Sequence, residues 1–176
     1  MTSRLYLSAV ALGLTLAALG CGKDNPATPT PAADPKFTAT LLPTNETTAV
    51  VGGDVTGSGS VAVTVHSTKD ASGNVTAATA DFTVTLSGFP AGTTLTGAHI
   101  HPGAAGVAGG VVWNLGLAAG EITLPNGSAT FTKTSVTPID VATAQGVLNN
   151  PAGYYFNVHT TVNTGGAARG QLVKAN

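Results

Sequence analysis

A single cysteine, Cys21, stands in the whole chain, so no disulfide can close within it. Charge is scarce too: 9% of residues are charged, the net charge is −1, and no block of like charge occurs. That removes the electrostatic footprint expected of a nucleic-acid binder. Aromatics make up 5% of residues, and Trp113 and Tyr154 read as core or rim residues rather than a sugar platform. Catalytic signatures are missing as well. There is no Gly-x-Ser-x-Gly elbow and no phosphate-binding loop, and the eight acidic residues are scattered without a close carboxylate pair. An enzyme is the minority reading. The one long apolar run, Leu5 to Leu19, is short for a membrane span.

That run fits a secretory leader over residues 1–20. Arg4 gives it a positive start, and small residues lead into Gly20-Cys21. Ala17-Ala18-Leu19-Gly20-Cys21 resembles a bacterial lipobox, which implies cleavage before Cys21 and lipidation of that residue. Several acyl chains would anchor the protein firmly, at about 0.8 kcal/mol per buried methylene. Gly22, rather than aspartate, after the cysteine resembles an outer-membrane signal if the cell is Gram-negative. Residues 21–36 then form a polar run with four prolines, Pro26, Pro29, Pro31 and Pro35. Proline at that density favours an extended tether. The expected address is extracytoplasmic, with the membrane as one partner and an envelope or extracellular protein as another.

From Phe37 to Asn176 the pattern is all-β. Alanine, threonine, valine and glycine dominate, which suits strands and turns. Period-two alternation predicts strands carrying Phe37, Ala39 and Leu41, then Val61, Val63 and Val65, then Phe82, Val84 and Leu86. Further strands are expected at Gly97–His101, Val111–Leu115, Tyr154–Thr161 and Gly170–Lys174. Asn126-Gly127, between Glu121–Leu124 and Ser128–Phe131, predicts a hairpin. One short helix is expected, capped by Thr137 with Pro138 at its first position and Val141, Ala144 and Leu148 on one face. About eight strands with one short helix indicate a Greek-key sandwich or barrel.

Three of the four histidines fall in two of these strands. In Ala98-His99-Ile100-His101, strand parity puts Ala98 and Ile100 on one face and both histidines on the other. In Tyr155-Phe156-Asn157-Val158-His159, the core residues Phe156 and Val158 leave Tyr155, Asn157 and His159 on the opposite face. Neighbouring strands would thus gather three imidazoles, a donor set suited to copper or zinc. The competing reading has each ring bonded to a backbone carbonyl or to Asn157, holding the glycine-rich loop Pro102–Gly110 on the sheet. His66, at a strand end, reads as an ordinary surface residue. Arg169, among small residues, either binds an anionic ligand or pairs with a buried carboxylate such as Glu46, and pairing is favoured because buried charges need partners.

These motifs together resemble the CHRD domain, named from the signalling antagonist chordin and found also in microbial secreted proteins. The matching features are Ala98–His101 with its glycine-rich loop and Val111-Val112, then Tyr155–Thr160, then Arg169-Gly170-Gln171-Leu172. Glu46 matches the acidic residue after the family's first strand. Two departures stand out: Pro102-Gly103 reverses the usual glycine–proline pair, and Ala167-Ala168 replaces a glutamate-containing segment before Arg169. The resemblance implies a secreted β domain of undefined biochemistry. The His-x-His strand, the later histidine and the nearby arginine have a weaker similarity of layout to copper/zinc superoxide dismutase, without its zinc loop, bridging histidine or cysteine pair. Two functions therefore stay open: a binding or structural module of the envelope, and a copper or zinc protein using His99, His101 and His159.

Overall fold

The computed structural model describes residues 33–175. The leader, Cys21 and most of the tether lie outside them. Ten strands and one α-helix make up the domain. In chain order the strands are β1 (Lys36–Leu41), β2 (Ser58–Lys69), β3 (Val75–Ser87), β4 (Thr93–Pro102), β5 (Trp113–Asn114), β6 (Thr123–Leu124) and β7 (Ala129–Val136). The helix α1 (Val141–Asn149) follows, then β8 (Tyr154–Thr160), β9 (Ala168–Gln171) and β10 (Val173–Lys174).

They form two antiparallel five-stranded sheets. The first runs β10-β1-β2-β3-β7, and the second β5-β4-β8-β9 with β6 also paired to β4. The architecture is an all-β sandwich; neither sheet closes into a barrel. The strands expected at Val111–Leu115 and Glu121–Leu124 keep only two residues each, as β5 and β6, and the expected last strand divides into β9 and β10, so ten strands stand where about eight were expected.

The first sheet follows the alternation read from the sequence. Phe37, Ala39, Leu41, Val61, Val63, Val65, Phe82, Val84 and Leu86 are all buried, each worth roughly 1.5–3 kcal/mol where the side chain is Val, Leu or Phe. Register forces their neighbours outward in rows, so Thr40, Ser60, Thr85 and Thr130 lie side by side on the solvent face. Phe82 crosses to the second sheet, packing on Phe156 and Trp113 with ring centroids 6.1 and 6.0 Å away.

The second sheet departs from strict alternation at one place. A register shift between Leu95 and Gly97 lets Leu95 and Ala98, three residues apart, both point inward. Beyond it Ile100, Phe156 and Val158 face the core. The sheets meet along one edge, where Leu42 and Arg169 exchange backbone hydrogen bonds of 3.1 and 3.2 Å. Gly170 permits that approach, since a Cβ there would stand 2.0 Å from the Thr40 carbonyl.

Three local expectations need correction. Asn126-Gly127 forms a turn but no hairpin. Pro125 precedes it, Gly127 donates to the Leu124 carbonyl, and only Gly127 of the pair has positive φ. A tight I′ hairpin needs positive φ at both central residues, so this turn instead passes the chain from β6 in one sheet to β7 in the other. The helix is capped by Asp140, whose side chain accepts from the Thr143 N–H at 2.7 Å, and not by Thr137. Ile139 is still held on the Val112 carbonyl, so the helix starts later and buries Val147 with Ala144, leaving Val141 exposed. The final strand is two strands, since β9 and β10 belong to different sheets. Trp113 is wholly buried, with its indole N–H on the Val136 carbonyl, and Tyr154 packs at the core margin.

Candidate metal centre

The pairing of β4 with β8 builds the site. His99 faces Asn157, His101 faces Tyr155, and Gly97 faces His159 across the ladder. All of these side chains therefore emerge on one face, opposite Ile100, Phe156 and Val158. One nitrogen from each of His99, His101 and His159 lies within 4.8 Å of the other two. No other group of three metal-ligating side chains is so arranged among the described residues.

The hydrogen bonds fix the tautomers. His101 Nδ1 donates to the Gly109 carbonyl at 3.0 Å, and His159 Nδ1 donates to the Thr164 carbonyl at 2.9 Å. A carbonyl oxygen can only accept, so in the neutral rings both Nε2 atoms carry bare lone pairs. His159 Nε2 then accepts from His99 Nδ1 at 3.0 Å. Asn157 Oδ1 lies 3.1 Å from His101 Nε2 and 3.0 Å from His159 Nε2.

Burial keeps two of the rings uncharged. Desolvation, helped by the neighbouring His159 and His101, pushes the His99 pKa down to about 4. Desolvation also lowers His159, against the Thr164 carbonyl. At neutral pH both are neutral imidazoles, the form that binds metals.

Behind the histidines lies a second buried layer. The His101 ring stacks on Tyr155 with centroids 5.0 Å apart and planes 6° from parallel. The Arg169 guanidinium carbon sits 4.4 Å from the same tyrosine ring. Arg169 donates through Nε to the Asn45 carbonyl and through NH1 to the Val107 carbonyl. It so rivets both covering segments, the 43–46 turn and the glycine-rich loop, to β9. Its Nε is 4.0 Å from Glu46 Oε2, and the two side chains are 2% and 4% exposed. Burial drives the Glu46 carboxyl up to about 7, while Arg169 and the Asn157 side-chain amide pull it back. Glu46 Oε1 and Arg169 NH2 have no hydrogen-bond partner among the described residues. The pairing of Arg169 with Glu46 read from the sequence is present as this long contact, and a cavity of about 430 Å³ opens beside it.

His66 is not the isolated strand-end residue the sequence suggested. β2 continues past it to Lys69, and its ring bridges Asp34 at 2.7 Å and Asp81 at 3.1 Å. Those two bonds raise its pKa. A concavity of about 470 Å³ lies beside it, but the converging metal-ligating side chains among the described residues are those of the histidine cluster. Cys21 lies outside the described residues.

Some members of the site left no clear signal in the sequence. Gly97 is one: a Cβ there would stand 2.7 Å from His99 Cε1, so its absence makes room for the ring. The Gly109 and Thr164 carbonyls are others, because a backbone acceptor has no residue type to betray it. Tyr155 was legible only as a face-mate of His159.

Fold and site thus define a two-sheet antiparallel sandwich with a loop-covered polar face bearing three converging imidazoles. A family model described as the CHRD domain matches residues 37–172, and the chain belongs to that family. No curated protein and no solved structure matches it.

Proposed function

We propose that this CHRD domain is a metal-binding module that holds one copper or zinc ion through His101 Nε2, His159 Nε2 and His99 Nδ1. One observation carries the reading: the bare nitrogens of His101 and His159 turn toward a common point while their opposite nitrogens are fixed on backbone carbonyls. That outer-sphere arrangement is how proteins orient histidine ligands. His99 joins by shifting its proton from Nδ1 to Nε2. Tetrahedral bonds of about 2.0–2.1 Å need ligand atoms roughly 3.3 Å apart, so the present spread of up to 4.8 Å closes with small side-chain rotations.

Titration of the purified protein with zinc and with copper is the test. One ion per chain, lost in His101→Ala, is the expected result. No binding above that of the variant would return the histidines to a purely structural role. That second reading, a binding or structural module of the envelope, is favoured by the bonds of His101 and His159 to Gly109 and Thr164, which tie loops to the sheet whether or not an ion is held.

The placement of the module rests on residues outside the described part. The lipobox-like Ala17–Cys21 and the prolyl tether support a lipid-anchored, extracytoplasmic domain. No helix among the described residues is long and apolar enough to cross a membrane. Cys21→Ser should release the protein from the membrane fraction; unchanged association would refute the anchor.

A further inference from the structure

Asn157 turns its amide oxygen toward two of the proposed ligand nitrogens. Its Oδ1 lies 3.1 Å from His101 Nε2 and 3.0 Å from His159 Nε2. Both nitrogens are bare in the neutral rings, because each ring spends its proton on a carbonyl. Three lone-pair atoms thus face one another in a buried place, with Asn157 3% exposed and His101 6%. Acceptors in such contact repel unless something positive lies between them.

A proton on one ring would bridge only one of the two oxygen–nitrogen contacts and leave the other pair of acceptors face to face. Turning the amide over would serve, but would aim its oxygen at Glu46. The orientation with Oδ1 toward the histidines turns the amide N–H group toward the Glu46 carboxyl. Glu46 is in turn beside Arg169. The amide is thus oriented from behind, as carboxylates behind a metal site orient the ligands they touch.

Building on the metal reading above, we infer that Asn157 Oδ1 is the fourth donor, closing an N3O site. Three of the six edges are already short, while the three histidine nitrogens still spread up to 4.8 Å among themselves. His99 Nδ1 to His159 Nε2, His159 Nε2 to Asn157 Oδ1, and Asn157 Oδ1 to His101 Nε2 are 3.0, 3.0 and 3.1 Å. These approach the roughly 3.3 Å edge of a tetrahedron with bonds of about 2.0–2.1 Å. Four protein donors leave no open position, the mark of a structural site rather than a catalytic one. A hard amide oxygen also favours a divalent ion over copper(I), which prefers sulfur. The ion would clamp β4 to β8 and keep the glycine-rich loop seated through His101 and Gly109.

Cobalt(II), whose absorption reports coordination number, tests this on the purified protein. Wild type should give a four-coordinate spectrum that added thiocyanate leaves unchanged. Asn157→Leu, which keeps the volume and removes the donor, should weaken zinc binding about 10–100-fold and let thiocyanate alter the cobalt spectrum. Asn157→Asp restores an oxygen donor and should keep the closed spectrum, which covers the case of a leucine variant that fails to fold. If wild type binds cobalt, loses it in His101→Ala, and yet already responds to thiocyanate, the fourth-donor assignment falls while the three-histidine site stands. Equal zinc affinity in wild type and Asn157→Leu would overturn it too. If wild type binds no metal at all, both readings fall together.

Discussion

Each of the two sheets turns alternate residues inward, but only the first leaves its outer face in water. Along β2 the burial alternates, with Val61, Val63 and Val65 inside and Ser60 and Thr64 turned out. Along β8 the residues from Tyr155 to Val158 are buried without alternation. The difference lies in what covers the face. Over β8 and β9 the 43–46 turn and the glycine-rich loop are riveted down by Arg169, so side chains that point away from the core still enter a dry layer. On the first sheet a row of hydroxyl side chains, Thr40, Ser60, Thr85 and Thr130, meets solvent. On the second the same parity yields desolvated histidines, an amide and an ion pair. Polar groups acquire unusual properties where water is excluded, and the covering loops decide where that happens.

Substitution at matched outward positions breaks the comparison most sharply. Arg169→Met should destabilise the protein by about 3–5 kcal/mol, because Glu46 is left buried beside no cation. Denaturant unfolding measures it. The loss should be smaller at pH 5 than at pH 8, since Glu46, with its pKa near 7, can then hold a proton.

Next in size is the pH response of the metal-free protein. Glu46 titrates at about 7 when folded instead of 4.5, so between those values the native state holds the extra proton and stability falls as pH rises. At about 1.4 kcal/mol per unit, this is on the order of 3 kcal/mol. His99, lowered from 6.5 to about 4, works the other way, because the unfolded chain binds the proton and stability rises with pH across that window. The two trends oppose each other. Glu46→Gln should remove one and leave stability climbing more steeply between pH 4.5 and 7, as followed by unfolding midpoints.

Gly97→Ala probes the room left for the His99 ring. Its Cβ would meet His99 Cε1 at 2.7 Å, an overpacking typically worth about 1–3 kcal/mol, and it should weaken zinc binding by displacing the ring. Thr83→Val, on the wet face of the first sheet, should change stability by no more than about 0.5 kcal/mol.

The same contrast governs what the sequence reveals. The first sheet is legible nearly residue by residue, because one face in water and one in oil produces period-two patterning. The grouping of His99, His101 and His159 also follows from parity, given Ile100 and Val158 as core residues. What cannot be read there is pairing at a distance. Asn126-Gly127 looks local, but sheet exchange is decided by what β6 and β7 meet elsewhere. His66 looks solitary because Asp34 and Asp81 approach it only through the fold. The acceptors for His101 and His159 are backbone carbonyls of Gly109 and Thr164, which no side chain announces. The Asp140 cap was open to view, but Thr137-Pro138 presented the same signal three residues earlier.

Whether three imidazoles serve one ion is decided at the metal itself. X-ray absorption at the metal edge of the zinc-loaded protein reads this directly. It should show three histidine imidazoles with metal–nitrogen distances of about 2.0–2.1 Å, with multiple-scattering features lost in His159→Ala. Zinc that shows one imidazole or none, or a spectrum indistinguishable between wild type and His159→Ala, would contradict it.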